Sequence, residues 1–368
     1  MNILYLATHL NIGGITNYLL SLAKGLKAKN HNVYIASSNG ELLLKFIQEG
    51  IVYIPIPIRT KQEFNVPKIS ISLFKLLKII KAKNIDILHS NTRVTQVLGA
   101  LLRHFCGKPH ITTCHGFFRV RLSRKIFPCW GNKVIAISES VKEHLIRDLA
   151  VKEDNIRVIH NGVDIDKLQT PNSELQADVR QKLGLSEGPV IGIIARLSEE
   201  KGHKYLIEAM HRVRTKLPSA QLLIVGEGRM KEKLMNLTEK LDLQNNIFFV
   251  PSVSNTQEPL SIMDIFVLPS IKEGLGISLM EAMACGLAVI GSNVGGIKSL
   301  IQDGYNGLLV NPADTGQLAN RILELIGEPK KRDYLGDNAR IFIKQNFSQD
   351  KMIFETERLY LECLSAKD

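Results

Sequence analysis

The chain has 368 residues, 45% of them hydrophobic and 23% charged, which is enough apolar material for about two domains and argues against a disordered or fibrous chain. It has no run of about eighteen apolar residues, so no transmembrane helix is expected; its five cysteines lack any C-x-x-C spacing, which argues against disulfide and metal frameworks and for a reducing cytoplasm. The net charge of +11 is uneven: residues 1–165 hold 23 Lys and Arg against 10 Asp and Glu, or +13, and the remainder holds 24 against 26, or −2. A basic first half suits an anionic membrane surface or nucleic acid, and equally a solvated basic face.

The opening MNILYLATHLNIGG carries neither a basic n-region nor a small-residue cleavage site and reads as a first buried strand, Ile3–Ala7. A helix from about Thr16 to Lys29, a strand Val33–Ala36 and a helix Leu42–Glu49 follow. Further short strands are expected at Asp86–Leu88, Ile111–Thr113, Val134–Ile137 and Ile156–Ile159. The polar stretch from Lys167 to Gly188, with Pro171, reads as a linker and an approach helix. A second alternating series begins at Val190–Ile194 and continues through Leu222–Val225, Ile247–Phe249, Ile265–Leu268 and Leu287–Ile290. Alternation of this kind predicts α/β halves, each a parallel sheet with helices on both faces, and places the default site in a cleft between them.

Four places carry candidate chemistry. Gly13-Gly14 lies between the first strand and the first helix, where glycine lets backbone approach a ligand or simply makes a tight turn. The spacing is not G-x-G-x-x-G, and no acidic residue closes the second strand, Val33-Tyr34-Ile35-Ala36-Ser37, so a nicotinamide fingerprint is missing. His115 follows a strand in ITTCHGFF; its neighbour Cys114 is set aside as a nucleophile because sequence neighbours on an extended chain face opposite ways. Arg196 and Lys201 in GIIARLSEEKG put two cations on one strand-to-helix edge, suited to a diphosphate, or else to surface ion pairs with Glu199 and Glu200. Last comes DIFVLPSIKEGLGISLMEAMACGLAVIGSNVGG, Asp264 to Gly296, read as strand, glycine loop, helix, strand. Glu273 sits in that loop and Glu281 roughly 6 Å along the helix from Ile277. Free N–H groups at the helix start favour a phosphate, and carboxylates on either side accept hydrogen bonds from sugar hydroxyls. Two acidic residues that only complement a helix dipole would look the same.

EGLGISLMEAMACGLAVI resembles the signature of retaining glycosyltransferases of family 4, which have the GT-B fold. R-x4-K-G at Arg196 to Gly202, the opening GGITNYLLSLAKGLKAKNHNV, IVGEGRM, NGV-D and DGYNGLLV match the same family, so the likeness covers nearly the whole chain and is weakest over 51–83 and 117–132. It implies two Rossmann-like domains with parallel sheets facing a central cleft. It places an acceptor-side domain at 1–165, a linker at 166–187, a nucleotide-sugar domain at 188–346 and a last helix, 347–368, crossing back to the first domain. It implies a sugar moved from a nucleotide diphosphate donor to a glycan or lipid-linked acceptor, with retention and with neither cofactor nor metal, in cell-envelope polysaccharide or glycolipid synthesis. His115, Arg196, Lys201 and Glu273 are the implied catalytic residues. Gly13, Gly14, Gly226, Val253, Gly274, Leu275, Gly276, Ile277 and Glu281 are the implied donor contacts, with Glu281 on the ribose.

Two positions depart from the pattern. Pro251 stands where glycine is usual, ahead of the loop in which Val253 would meet the base, and Ser299 replaces an acidic residue after GG-I. Rival readings are a non-catalytic nucleotide-sugar-binding subunit and a nicotinamide-dependent oxidoreductase. Arg119, Arg121, Arg124 and Lys125 beside Phe117, Phe118, Ile126, Phe127 and Trp130, with Lys68, Lys75, Lys78, Lys81 and Lys83 on a Leu/Ile-rich helix, suggest an anionic membrane surface as a partner and no nucleic acid.

Overall fold

The computed structural model describes residues 1–60, 65–118, 120–168, 173–253 and 255–366. The chain forms two compact units, Met1–Gly162 with Gln349–Asp368, and Val163–Ser348.

The first unit is built on a parallel seven-stranded sheet: β1 (Asn2–Leu6), β2 (Asn32–Ser37), β3 (Val52–Pro55), β4 (Ile87–Ser90), β5 (His110–Cys114), β6 (Lys133–Ala136) and β7 (Ile156–Val158). Its order is β3-β2-β1-β4-β5-β6-β7, so the winding reverses between β1 and β4. There Ile3 pairs with both Val33 and Ile87. Side chains along a strand alternate faces, and β1 shows it. Ile3 and Tyr5 join the helix Gly14–Ala28 in one apolar cluster, while Leu4 and Leu6 join the helices Val66–Ala82 and Arg93–Cys106 in another. Both faces are therefore covered, which a parallel sheet requires.

The closing helix Gln349–Ser365 belongs to this unit and buries Met352, Ile353, Thr356, Leu359, Tyr360 and Cys363, a face spaced three and four residues apart. Gly25 of the first helix lets Ile353 in: a Cβ there would lie 2.0 Å from Ile353 Cδ1. Glu357 takes both Lys29 and, at 2.7 Å, His31 Nε2. Phe354 on the same helix points to solvent at 55% exposure and lies under the Lys29 ammonium.

The second unit carries a parallel six-stranded sheet: β8 (Val190–Ile194), β9 (Gln221–Val225), β10 (Ile247–Val250), β11 (Ile265–Leu268), β12 (Ala288–Ser292) and β13 (Leu308–Val310). The order β10-β9-β8-β11-β12-β13 reverses between β8 and β11. Every residue of β11 is buried, as are the five of β9 and of β12, in keeping with uninterrupted apolar runs in a sheet covered on both sides. The stretch Ser173–Lys182 forms a helix inside this unit, tied to it by Gln176 donating to the Ser261 carbonyl and Arg180 to the Gly188 carbonyl. No helix among the described residues is long and apolar enough to cross a membrane.

Candidate active site

A ligand of an open α/β sheet settles at the carboxyl ends of the strands where the winding reverses. In the second unit that edge lies between β8 and β11, and the two loops leaving those strands are packed on each other. Ile271 N–H donates to the Glu200 carbonyl at 2.8 Å. Arg196 stands exposed two residues past β8, and Lys201 ends the short 3-10 turn Glu199–Lys201. The loop after β9 holds the Arg196 loop from behind: Leu197 N–H donates to the Glu227 carbonyl at 2.9 Å. Gly226, at φ 152°, comes so close that a Cβ would lie 2.0 Å from the Ala195 carbonyl oxygen. Its glycine is thus accounted for by loop packing.

Glu273 is buried in the loop after β11, where Lys201 donates to its Oε2. Ser270 Oγ also donates to Oε2, and Gly274 N–H to Oε1, each at 3.2 Å. The surface pairing of Lys201 with Glu199 or Glu200 is not what forms; the lysine reaches across the reversal point to Glu273 because the β8 and β11 loops are spatial neighbours. Gly276 turns the chain into the helix Ile277–Ala284 at φ 95°, a conformation other residues rarely adopt. Gly296 N–H donates to the Glu273 carbonyl at 3.0 Å, fixing the loop from the β12 side. Arg196, Lys201, Glu273, Gly274, Leu275, Gly276 and Ile277 therefore share one edge.

Glu281 lies one turn into that helix and is half-buried. Burial lifts its carboxyl to about 7, while a hydrogen bond from Thr256 pulls the other way. Thr256 is three residues past Val253, so Glu281 and the Val253 loop approach each other.

The remaining sequence candidates lie in the first unit. Gly13 caps the helix Gly14–Ala28 after β1, and His115 follows β5. His115 Nε2 sits 3.0 Å from Asn91 Oδ1, and the ring stands edge-on to Tyr18 at 4.8 Å between centroids. Burial lowers its pKa to about 3, so the ring is neutral. Cys114 is buried and its thiol is pushed up to about 12, which leaves it unionised and supports setting it aside as a nucleophile. Among the described residues no three His, Cys, Asp or Glu side chains are grouped to hold a metal ion.

Two family descriptions divide the chain between them: Glycosyltransferase Family 4 matches residues 12–167, and Glycosyl transferases group 1 matches residues 176–342. The chain belongs to the group 1 glycosyltransferases. It is 26% identical to the N-acetyl-alpha-D-glucosaminyl L-malate synthase of Bacillus anthracis, over 96% of this chain and 95% of that one. It is 28% identical to the UDP-Gal:alpha-D-GlcNAc-diphosphoundecaprenol alpha-1,3-galactosyltransferase of Escherichia coli, over 80% of each. A solved glycosyltransferase from Rickettsia africae superposes with a TM-score of 0.88 at 26% identity, covering 99% of this chain and 98% of that one. The fold of this glycosyltransferase is GT-B, two α/β domains with parallel sheets.

The glycosyltransferase also carries polar groups that its sequence did not announce. Asn91, Tyr18, Ser270 and Thr256 each touch a candidate residue. Asn91 lies immediately after, and Ser270 two residues past, a strand's carboxyl end, the one signal that could have marked them.

The membrane-facing cluster read from sequence is partly internal. Arg124 is buried, with its guanidinium 4.4 Å over the Phe118 ring, and Phe118 stacks on the buried Trp130. A cation over an aromatic face is stabilising where water is excluded, so these three build the loop instead of facing outward. Arg119 and the Lys125 side chain lie outside the described residues. Exposed apolar side chains remain at Val120, Leu122, Ile126 and Phe127, and on the helix Val66–Ala82 at Val66, Ile71 and Phe74.

Proposed function

We propose that this glycosyltransferase moves a sugar from a nucleotide diphosphate-sugar to a glycan or lipid-linked acceptor with retained configuration. The observation that carries the reading is the gathering of Arg196, Lys201, Glu273 and the start of the helix Ile277–Ala284 on the β8/β11 edge. The diphosphate takes the helix-start N–H groups and the two cations, Arg196 as a fork and Lys201 as a point charge. The bond from the anomeric carbon to the diphosphate oxygen breaks, and its electron pair leaves with the phosphate. The acceptor oxygen bonds to that carbon from the same face and passes its proton to a phosphate oxygen. Charge builds on the leaving diphosphate, where fixed cations and N–H dipoles act most strongly. Glu273 positions the donor sugar, Glu281 accepts from ribose hydroxyls, and Val253 and Gly226 lie toward the base. No metal or cofactor enters these steps. A nucleotide-sugar donor and a lipid-linked acceptor are both in keeping with the name of the 28% identical E. coli relative.

A panel of nucleotide sugars in a thermal-stabilisation assay tests this. The cognate donor at 100 Kd adds about 2.7 kcal/mol. Stabilisation by a nicotinamide dinucleotide alone would reverse the reading, and binding with neither transfer nor hydrolysis would make the chain a donor-binding subunit.

If Glu281 binds ribose as a carboxylate, donor affinity depends on pH. With its pKa near 7 in the folded protein, only about one tenth is ionised at pH 6, so the apparent Kd rises about tenfold from its alkaline plateau. An intact nucleotide sugar has no ionisation of its diphosphate in this range, so isothermal titration isolates the effect. The same raised pKa makes stability fall as pH rises from the unfolded value of 4.5 to about 7, because the folded state holds the proton more tightly. Glu281→Gln should flatten both profiles; a flat wild-type affinity from pH 5.5 to 8 removes the ribose assignment.

The acceptor is reached at an anionic membrane. The support is the +13 of residues 1–165, together with exposed Leu122, Ile126 and Phe127 and, on the helix Val66–Ala82 and just past it, exposed Phe74, Lys75, Lys78, Lys81 and Lys83. Apolar side chains that insert shallowly and lysines that meet headgroups suit such a surface. Co-sedimentation should rise with the anionic lipid content of vesicles and fall with salt; binding indifferent to both, or none, removes the membrane and leaves the enzyme. Nucleic acid has no place in this reading.

A further inference from the structure

The carboxyl edge of the first sheet holds a polar group that the transfer chemistry above does not use. Asn91 follows β4 beside the strand reversal, its backbone N–H donating to the Leu6 carbonyl at 3.2 Å. It is 1% exposed. Its Oδ1 meets His115 Nε2 at 3.0 Å, yet its Nδ2 has no hydrogen-bond partner among the described residues. A buried donor left unpaired loses its hydration with no bond in return. Placed beside a histidine at a ligand-binding edge, an orphan of this kind marks an oxygen that arrives with the substrate.

His115 is held from a second side. Tyr18 presents its ring edge-on to the imidazole, and Tyr18 is itself pinned. Its hydroxyl lies 3.3 Å from Thr113 Oγ1, Thr113 Oγ1 lies 2.7 Å from His89 Nε2, His89 Nδ1 meets the Tyr360 hydroxyl, and that hydroxyl lies 3.1 Å from Tyr5. The ring of His115 therefore rests on a buried chain of hydrogen bonds anchored in the closing helix. A neutral imidazole carries one N–H. Facing an amide oxygen, that hydrogen belongs on Nε2, and Nδ1 keeps a lone pair.

We propose that Asn91 is a positioning residue for His115: it fixes the Nε2–H tautomer, leaves Nδ1 to accept a hydrogen bond from a sugar hydroxyl of the substrate, and offers its own Nδ2 N–H to an oxygen of the same sugar. The proposal rests on the transferase reading above and on His115 meeting the substrate, as the family resemblance implies, and its test separates the two. Turning the Asn91 amide over would put Nδ2 against Nε2 and force the imidazole hydrogen onto Nδ1.

Long-range nitrogen–proton spectra of the full chain labelled at histidine read the tautomer directly, with the His115 signals assigned by their loss in His115→Gln. The expected result is Nε2–H in the wild type from pH 6 to 8, and mixed tautomers in Asn91→Leu. An Nδ1–H tautomer in the wild type overturns the proposal and needs no variant to fold. In transfer assays Asn91→Leu and His115→Gln should each lower kcat/KM by on the order of 10-fold to 10²-fold, and the double variant should be no worse than the poorer single one. Additive losses, with the tautomer unchanged in Asn91→Leu, would make Asn91 structural only and overturn the positioning role. A protein that shows the Nε2–H tautomer and its loss in Asn91→Leu, yet transfers no sugar, would keep the positioning role and remove the transferase reading.

Discussion

Lys201→Ala should lower turnover by about 10²–10³-fold, equivalent to about 2.7–4 kcal/mol of transition-state stabilisation, as loss of one fixed charge contact to a departing anion does. Arg196→Ala should show the same direction. The two differ in their cost to the fold. Arg196 is exposed and its loss leaves no buried charge behind. Lys201 is the partner of Glu273, a carboxylate 9% exposed that among the described residues is otherwise held by Ser270 Oγ and the Gly274 N–H. Removing the lysine leaves that charge under-satisfied and should destabilise the second unit by about 1–3 kcal/mol. Turnover measured well below each variant's melting temperature separates the two effects. In Lys201→Ala/Glu273→Gln the stability should recover while turnover does not. Near-normal turnover in both single variants would remove the diphosphate assignment.

Tyr360→Ala should destabilise the first unit by about 3–5 kcal/mol, the range for deleting a buried aromatic ring. Tyr360 is fully buried in the closing helix and its hydroxyl joins Tyr5 on β1 to His89 on β4. Deletion leaves a cavity and strands both partners. His89 is held well below its usual pKa by burial, so it cannot compensate by taking a proton near neutrality. Tyr360→Phe keeps the ring and should cost about 1–3 kcal/mol for the orphaned hydrogen bonds alone. Denaturant unfolding followed by circular dichroism gives both values. A Tyr360→Phe protein as stable as the wild type would show that this hydrogen-bond chain contributes nothing net.

The alternation of apolar runs was legible because strands in a covered parallel sheet are apolar throughout, as β9, β11 and β12 are. β3 was not expected: its four residues, Val52–Pro55, end in proline and only Ile54 is buried, so no apolar run stands out. The loop and helix around Glu273 and Glu281 were legible from glycine placement, since Gly276 does adopt a left-handed backbone at the helix start. What the sequence hid is what tertiary structure alone brings together. Lys201 has two glutamates beside it in sequence and bonds to one 72 positions away. Tyr5 and Tyr360 are 355 positions apart and share a buried hydrogen bond. Arg124, Phe118 and Trp130 had the composition of an interfacial cluster and turned inward, because a stacked aromatic pair can bury a guanidinium as well as a headgroup can attract one.

Hydrogen exchange on the full chain, with and without the nucleotide sugar that stabilises it best, tests the central claim most directly. Binding at the β8/β11 edge should slow exchange in the Arg196–Gly202 loop, in the Glu273–Gly276 loop and in the first turn of the helix Ile277–Ala284, and Arg196→Ala should weaken that protection. Protection confined to the Gly13–Gly14 loop of the first unit, with none at these segments, would contradict it.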